Sequence, residues 1–240
     1  MVSPIAEARA APADARRRRV VLAGAGALLP GLVGGLAVPR AALAQGLDAS
    51  LAPRVGDTWR YAYTSGWKHV APRTVAVRVT AVTGSGVRDA VSVSANGDSS
   101  GVEHAFAARL EVVARAVSGL DVVELSPYLQ AFGAPQAGHA PVAMPAPKWG
   151  TAWTATARFG VRERVTVPAG TFDAMRVDVL GRRPFLRGQM DDAIDPIRLD
   201  LTAWYAPQVK RYVRLVVSSH AAGLNPLLRD AYGLVEYRGG

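Results

Sequence analysis

The run from residue 158 to residue 179, RFGVRERVTVPAGTFDAMRVDV, decides the fold. Phe159, Val161, Val165 and Val167 alternate with Arg158, Arg162, Arg164 and Thr166, and Met175, Val177 and Val179 alternate with Arg176 and Asp178. An apolar period of two means extended chain with one face buried and one in water. Between the two runs stands Pro168-Ala169-Gly170-Thr171. This segment turns the chain, with Gly170 supplying a permissive backbone, so it predicts a β-hairpin.

The same pattern extends outward in both directions. In residues 73–83, RTVAVRVTAVT, Val75, Val77, Val79 and Ala81 share a face opposite Thr74, Arg78 and Thr80. Residues 87–95 continue it after Gly84-Ser85-Gly86, and residues 109–125 hold two alternating runs around Ser118-Gly119. Ile197, Leu199, Leu201, Ala203 and Tyr205 alternate with polar neighbours, residues 209–218 pair back, and a last strand runs from about Ala231 to Arg238. Two short stretches, 103–109 and 221–230, fit helices. Residues 133–150, rich in Pro, Gly and Ala, carry no period and read as a long loop; residues 181–196 read as a polar one. The fold class is all-β: a curved antiparallel sheet or incomplete barrel with one or two short helices, in a single domain spanning residues 45–240. The G-x-x-W cores at Gly56–Trp59 and Gly150–Trp153 suggest two sheet halves flanking the Pro-rich loop.

Residues 1–44 read as a signal peptide. Four arginines, Arg16 to Arg19, precede an apolar stretch from Val20 to Val38, and Ala42-Leu43-Ala44 offers the small side chains that a signal peptidase requires, placing cleavage after Ala44. The apolar stretch is diluted by glycines, and Arg40 puts a positive charge near the cleavage point; both favour twin-arginine export over the general route. Val20 and Val21 depart from that route's preferred residues. The expected location is the periplasm, with no permanent membrane span once the leader is removed.

The 240 residues include no cysteine, so disulfides, thiolate metal sites, thiolate nucleophiles and a lipid-bearing cysteine are excluded. The leader holds six basic and two acidic residues, which leaves 22 basic and 17 acidic residues in positions 45–240. These charges are scattered along strand-like runs rather than gathered in a patch, so no nucleic-acid partner is expected.

His69, His104, His139 and His220 show no metal-ligand spacing. Asp191, Asp192 and Asp195 cluster in the 181–196 loop, but they lack the ligand ladder of a calcium loop and are flanked by Arg182, Arg183, Arg187 and Arg198. Ser126, Ser218 and Ser219 sit in no nucleophile elbow, and Gly84-x-Gly86 lacks the glycine and helix of a phosphate loop. No catalytic residue, metal or cofactor is expected. Of the five tryptophans, Trp59, Trp67, Trp153 and Trp204 are the candidates for contact with a ligand.

The string Val165-Thr166-Val167-Pro168-Ala169-Gly170-Thr171-Phe172, the later Trp204-Tyr205-Ala206-Pro207, the G-x-x-W segments and Leu125-Ser126-Pro127-Tyr128 together resemble a group of bacterial envelope proteins sometimes called TapB-like. The fold of that group resembles the LolA/LolB lipoprotein carriers. The resemblance covers most of residues 54–238 and departs from the pattern at Gln208 and Arg211, where glycines would be expected, and in the enlarged 181–196 loop. It implies a bent sheet with an apolar concave face holding a lipid-like ligand, and it supplies no catalytic residue. Its motif residues are structural: Pro168 and Gly170 for a turn, Phe172 to anchor it, Trp204 and Tyr205 with one ring on each face, and Pro207.

Three functions follow as expectations. The first is a periplasmic, non-catalytic carrier or binding module for an apolar or lipid-like ligand. The second is an envelope interaction protein that pairs a partner through a sheet edge. The third is a hydrolase using the Asp-rich loop and His220.

Overall fold

In the computed structural model the described residues are 51–67, 70–95, 98–107, 109–117, 120–129, 138–145, 152–184, 196–221 and 226–240. The leader with its cleavage point after Ala44, His69, Trp149 and the Asp191, Asp192, Asp195 cluster lie outside them. The described strands are β1 (Thr58–Ser65), β2 (Arg73–Thr83), β3 (Gly86–Ala95), β4 (Asp98–Ala107), β5 (Val112–Val117), β6 (Leu120–Leu125), β7 (Gly138–Pro141), β8 (Thr154–Val167), β9 (Gly170–Arg182), β10 (Arg198–Ala206), β11 (Arg211–His220) and β12 (Pro226–Arg238). The fold is all-β, as the alternation predicts.

Ten strands form one antiparallel sheet in the order β4-β3-β2-β1-β12-β11-β10-β9-β8-β7, open at both ends. β5 and β6 form a separate hairpin. Helical geometry in the described residues is confined to short 3-10 turns such as Pro207–Val209, and no described helix is long and apolar enough to cross a membrane. The two stretches read as helices are strand: residues 103–107 belong to β4 and 226–230 to β12. Within the stretch read as a structureless loop, Gly138–Pro141 forms β7, pairing with Thr156–Phe159.

The predicted hairpin is β8–β9, turning at Gly170 with φ 135°, a backbone region that L side chains avoid. Its Thr166 and Thr171 hydroxyls meet at 3.0 Å across the first pairs. The predicted phase of Val161 is wrong. The β8–β9 register shifts between Phe159 and Arg162, so Gly160 and Val161 together oppose Arg176. This bulge leaves Val161 82% exposed. Further register shifts occur at Arg60/Tyr61, Val79/Ala81, Trp204/Tyr205 and Ser219/His220. Each adds twist and bend, which curves the long sheet.

The tip of β8–β9 also has a long-range anchor. β11 pairs with β12 only as far as Arg214 and Gly233. The next β12 carbonyl, that of Leu234, accepts the Ala169 N–H at 2.9 Å. Pro168, which has no N–H to offer, packs beside Gly233. The turn of the V-P-A-G-T-F string therefore docks where the β11–β12 ladder ends.

One face of the sheet is apolar and buried: Trp59, Tyr61 and Tyr63 on β1, Val75, Val77 and Val79 on β2, Leu199 and Leu201 on β10, Leu215 and Val217 on β11, and Tyr232 and Leu234 on β12. The β5–β6 hairpin lies on this inner face. Tyr205 Oη donates to the carbonyls of Leu125 and Ser126 at 3.2 and 3.0 Å, and Tyr128 bridges to Arg211 backbone to backbone.

Candidate functional site

Between the main sheet and the β5–β6 hairpin lies a cluster of four charges, all buried. Asp89 (β3) and Arg211 (β11) come from the sheet, Arg115 (β5) and Glu124 (β6) from the hairpin. Arg211 bonds Asp89 at 3.2 Å and Glu124 at 2.6 Å. Arg115 bonds Asp89 at 3.1 Å and also bonds Glu124. Tyr128 Oη donates to Asp89 at 2.9 Å, and Tyr212 Oη donates to Glu124. The Arg211 guanidinium is packed among the rings of Trp59, Tyr61, Tyr128 and Tyr212, at 5.0 to 5.9 Å from their centroids. Two cations and two anions cancel, which is what lets four ionised groups sit in a low-dielectric interior. Burial alone would raise the Glu124 carboxyl, but the guanidiniums of Arg115 and Arg211 outweigh it and hold it down to about 2.

Where the hairpin lies on the inner face, the described residues put aromatic rings and an ion quartet in place of the purely apolar lining that the alternating valines and the resemblance imply. Sequence reasoning missed all four charges, although each left a trace. Asp89 is in phase with Val87, Val91 and Val93, Arg115 with Val113 and Val117, Glu124 with Val122, and Arg211 with Val213, Leu215 and Val217. A charge standing in the apolar phase of a strand is the signal. Arg211 itself stood out only as a departure from an expected glycine.

The four tryptophans singled out do not converge. Trp59 is 1% exposed, stacks on Tyr237 with centroids 5.5 Å apart, and donates its indole N–H to the Val209 carbonyl at 2.8 Å. Trp67 lies in the β1–β2 connection and is exposed. Trp153, just before β8, is half-buried under the Arg183 guanidinium at 5.4 Å. Trp204 lies on the outer face between the guanidiniums of Arg176 and Arg214, at 5.7 and 5.2 Å, with its indole N–H donated to Glu163. Its neighbour Tyr205 is fully buried on the inner side, and Phe172 packs against the core from the hairpin tip.

Among the described residues no three His, Asp or Glu side chains gather as metal ligands. His104 lies on β4 across from Asp89. Burial and the Arg115 guanidinium lower its pKa. His139 is on β7, and His220 is near Asp200, 3.6 Å away, at the far end of β11.

No protein-family profile matches the chain, and no curated protein matches it. Three solved structures are similar to it. One is an inferred lipoprotein from Parabacteroides distasonis ATCC 8503, at 14% identity over 78% of this chain and 98% of that one, with a TM-score of 0.42. Another is an inferred exported protein with a YmcC-like fold from Bacteroides fragilis NCTC 9343, at 15% identity over 78% and 97%, with a TM-score of 0.38. The third is a conserved protein of unknown function with a hot dog fold from Alicyclobacillus acidocaldarius, at 9% identity over 78% and 81%, with a TM-score of 0.17.

Two surface features remain. The first is the contrast between the sheet's two ends. β7 is four residues long and ends in Pro141, a blunt edge. β4 is ten residues long and pairs along its whole length with β3 on one side. Among the described residues no strand pairs with its other side. Near that edge Val102, which faces inward opposite Val91, is 39% exposed. The second is a trough of about 390 Å³ on the outer face of β12, β1, β2, β3 and β4, lined by residues including Thr58, Arg60, Ala76, Arg78, Ala90, Ser92, Gly101, Glu236 and Arg238.

Proposed function

We propose that the chain is an exported periplasmic protein of the envelope, that it is not an enzyme, and that it binds an extended segment of a partner protein along the free side of β4. Export rests on the leader: four arginines, a glycine-diluted apolar stretch and the Ala42-Leu43-Ala44 cleavage signal. The binding mode rests on the unequal ends of the sheet. An edge strand of ten residues offers a row of backbone donors and acceptors, which proteins otherwise shorten, charge or cover. An added strand satisfies that row and buries Val102, so main-chain bonds supply affinity and alternate side chains supply selectivity. The partner reading is favoured over a carrier of an apolar ligand because the β5–β6 hairpin and its ion quartet lie on part of the inner face such a ligand would use.

A photo-crosslinking residue placed in turn at Glu103 on β4 and at His139 on β7 tests this in cells. The expected result is a discrete adduct of one envelope protein from position 103, none from 139, and loss of the adduct in Val102→Lys. Equal labelling from both edges refutes the edge reading. The export part is checked separately by the amino terminus of the mature protein, expected at Gln45.

A further inference from the structure

The outer-face trough is a feature separate from the free side of β4. Its residues fall into two cross-strand ranks. One rank runs Arg238, Thr58, Arg78, Ala90; the other runs Glu236, Arg60, Ala76, Ser92, Gly101. Thr58 therefore has Arg238 directly opposite on β12 and Arg78 directly opposite on β2, each with Cβ atoms about 4.5–5.5 Å away in such a pair. Arg60 stands two residues further along the same face of β1. Three arginine side chains thus rise from positions around Thr58.

Only one carboxylate lies among them. Glu236 bonds Arg60 at 3.2 Å and Arg238 at 2.5 Å. Arg78 has no ion-pair partner among the described residues. Three positive charges against one negative leave two. Beyond Arg78 the floor is made of Ala76, Ala90, Ser92 and Gly101, side chains too small to fill the space above them. Glu103 stands at the far end of the first rank, opposite Ala90.

We infer that this trough binds a phosphate monoester group, the phosphate seated over Thr58 and the slender remainder of the ligand lying over Ala76, Ala90, Ser92 and Gly101 toward β4. A phosphate monoester carries about −1.5 to −2 at neutral pH, matching the surplus of two, whereas a single carboxylate would leave one guanidinium uncompensated. The guanidinium fork takes phosphate oxygens two at a time, and the Thr58 hydroxyl adds a neutral donor. The group reaches the trough on a soluble phosphorylated molecule or on a lipid headgroup.

Calorimetric titration of the purified protein with inorganic phosphate at low salt is the test, with co-sedimentation on vesicles of phosphatidylcholine with and without phosphatidic acid as a second arm. Saturable phosphate binding is expected, with at least a tenfold loss in Arg78→Gln and in Arg60→Gln, several-fold in Thr58→Val, and no change in Arg164→Gln or Val102→Lys. All five positions are at the surface or strand face, and an unchanged thermal midpoint certifies each fold. Phosphate binding joined by phosphatidic-acid-dependent sedimentation assigns the site to a lipid headgroup; phosphate binding without it assigns a soluble ligand. Absence of saturable phosphate binding, or unchanged binding in Arg78→Gln, overturns the inference.

Discussion

Arg211 of the main sheet and Glu124 of the β5–β6 hairpin meet at 2.6 Å, and neither side chain is more than 1% exposed. Their pair, with Asp89 and Arg115, joins the two layers of the fold through charge rather than through apolar contact alone. Arg211→Met leaves two buried carboxylates facing Arg115, and removal of one partner from a buried pair costs about 3–5 kcal/mol. The expected urea midpoint falls accordingly. Adding Glu124→Gln to Arg211→Met restores neutrality and recovers part of the loss. A strictly additive double mutant contradicts a shared network.

The Glu124 carboxyl makes acid the natural probe. Its folded-state pKa of about 2 lies below the ordinary value of 4.5. Stability from this group is therefore complete above that ordinary value and is lost as pH falls through the interval down to about 2. Asp57 and Asp178 act in the same sense. Burial opposes ionisation in both; bonds from the backbone of Arg54 and Gly240 and from Lys210 lower the first, and bonds from Arg176, Arg158 and Thr202 lower the second. Urea midpoints measured from pH 7 to pH 2 are expected to drop steeply below pH 4.5 and to drop less in Glu124→Gln.

Alkali acts through the tyrosines. All seven, Tyr61, Tyr63, Tyr128, Tyr205, Tyr212, Tyr232 and Tyr237, have pKa values raised by burial, Tyr63 to about 12. The unfolded chain loses these protons near pH 10 while the folded chain keeps them, so stability is complete below pH 10 and declines above it. Absorbance of phenolate is expected to stay low past pH 10 and then rise in one cooperative step together with loss of near-ultraviolet dichroism. Gradual titration of most tyrosines near pH 10 in the folded protein would contradict the buried placement.

The hairpin turns separate two kinds of glycine. Gly170 has φ 135°, so Gly170→Ala is expected to cost about 1–2 kcal/mol. Gly84 has an ordinary φ, and a Cβ added there would meet nothing within 4 Å, so Gly84→Ala is expected to be neutral or to stabilise by about 0.4–1 kcal/mol. Thermal melts of the two variants distinguish them.

Strand periodicity made most of the sheet legible, because a residue's face follows from parity as long as the ladder is regular. Val75, Val77, Val79, Leu199 and Leu201 are buried as their parity demands. Parity fails at bulges, and Val161 was misplaced for that reason. The 103–109 and 221–230 stretches misled because Glu103, His104 and Arg229 interrupt the apolar alternation where β4 and β12 run near an edge or a turn. The ion quartet was hidden for a different reason: its members are far apart in sequence, and only the folded topology brings Asp89, Arg115, Glu124 and Arg211 together. The trough was equally out of reach, since Arg78 and Arg238 become neighbours only through Thr58.

The strand order also sets a timetable for assembly. β1 is bonded to β12, with Thr58 opposite Arg238, so the earliest and latest strands of the sheet meet in its middle. Before β12 is available, the chain consists of two meanders, β1 to β4 and β7 to β11, with no backbone ladder between them. Such distant closure is slow and leaves two more edges open meanwhile. A polypeptide released or cleaved before its last strand would expose both, so the sheet is guarded against stray edge pairing only once β12 is in place.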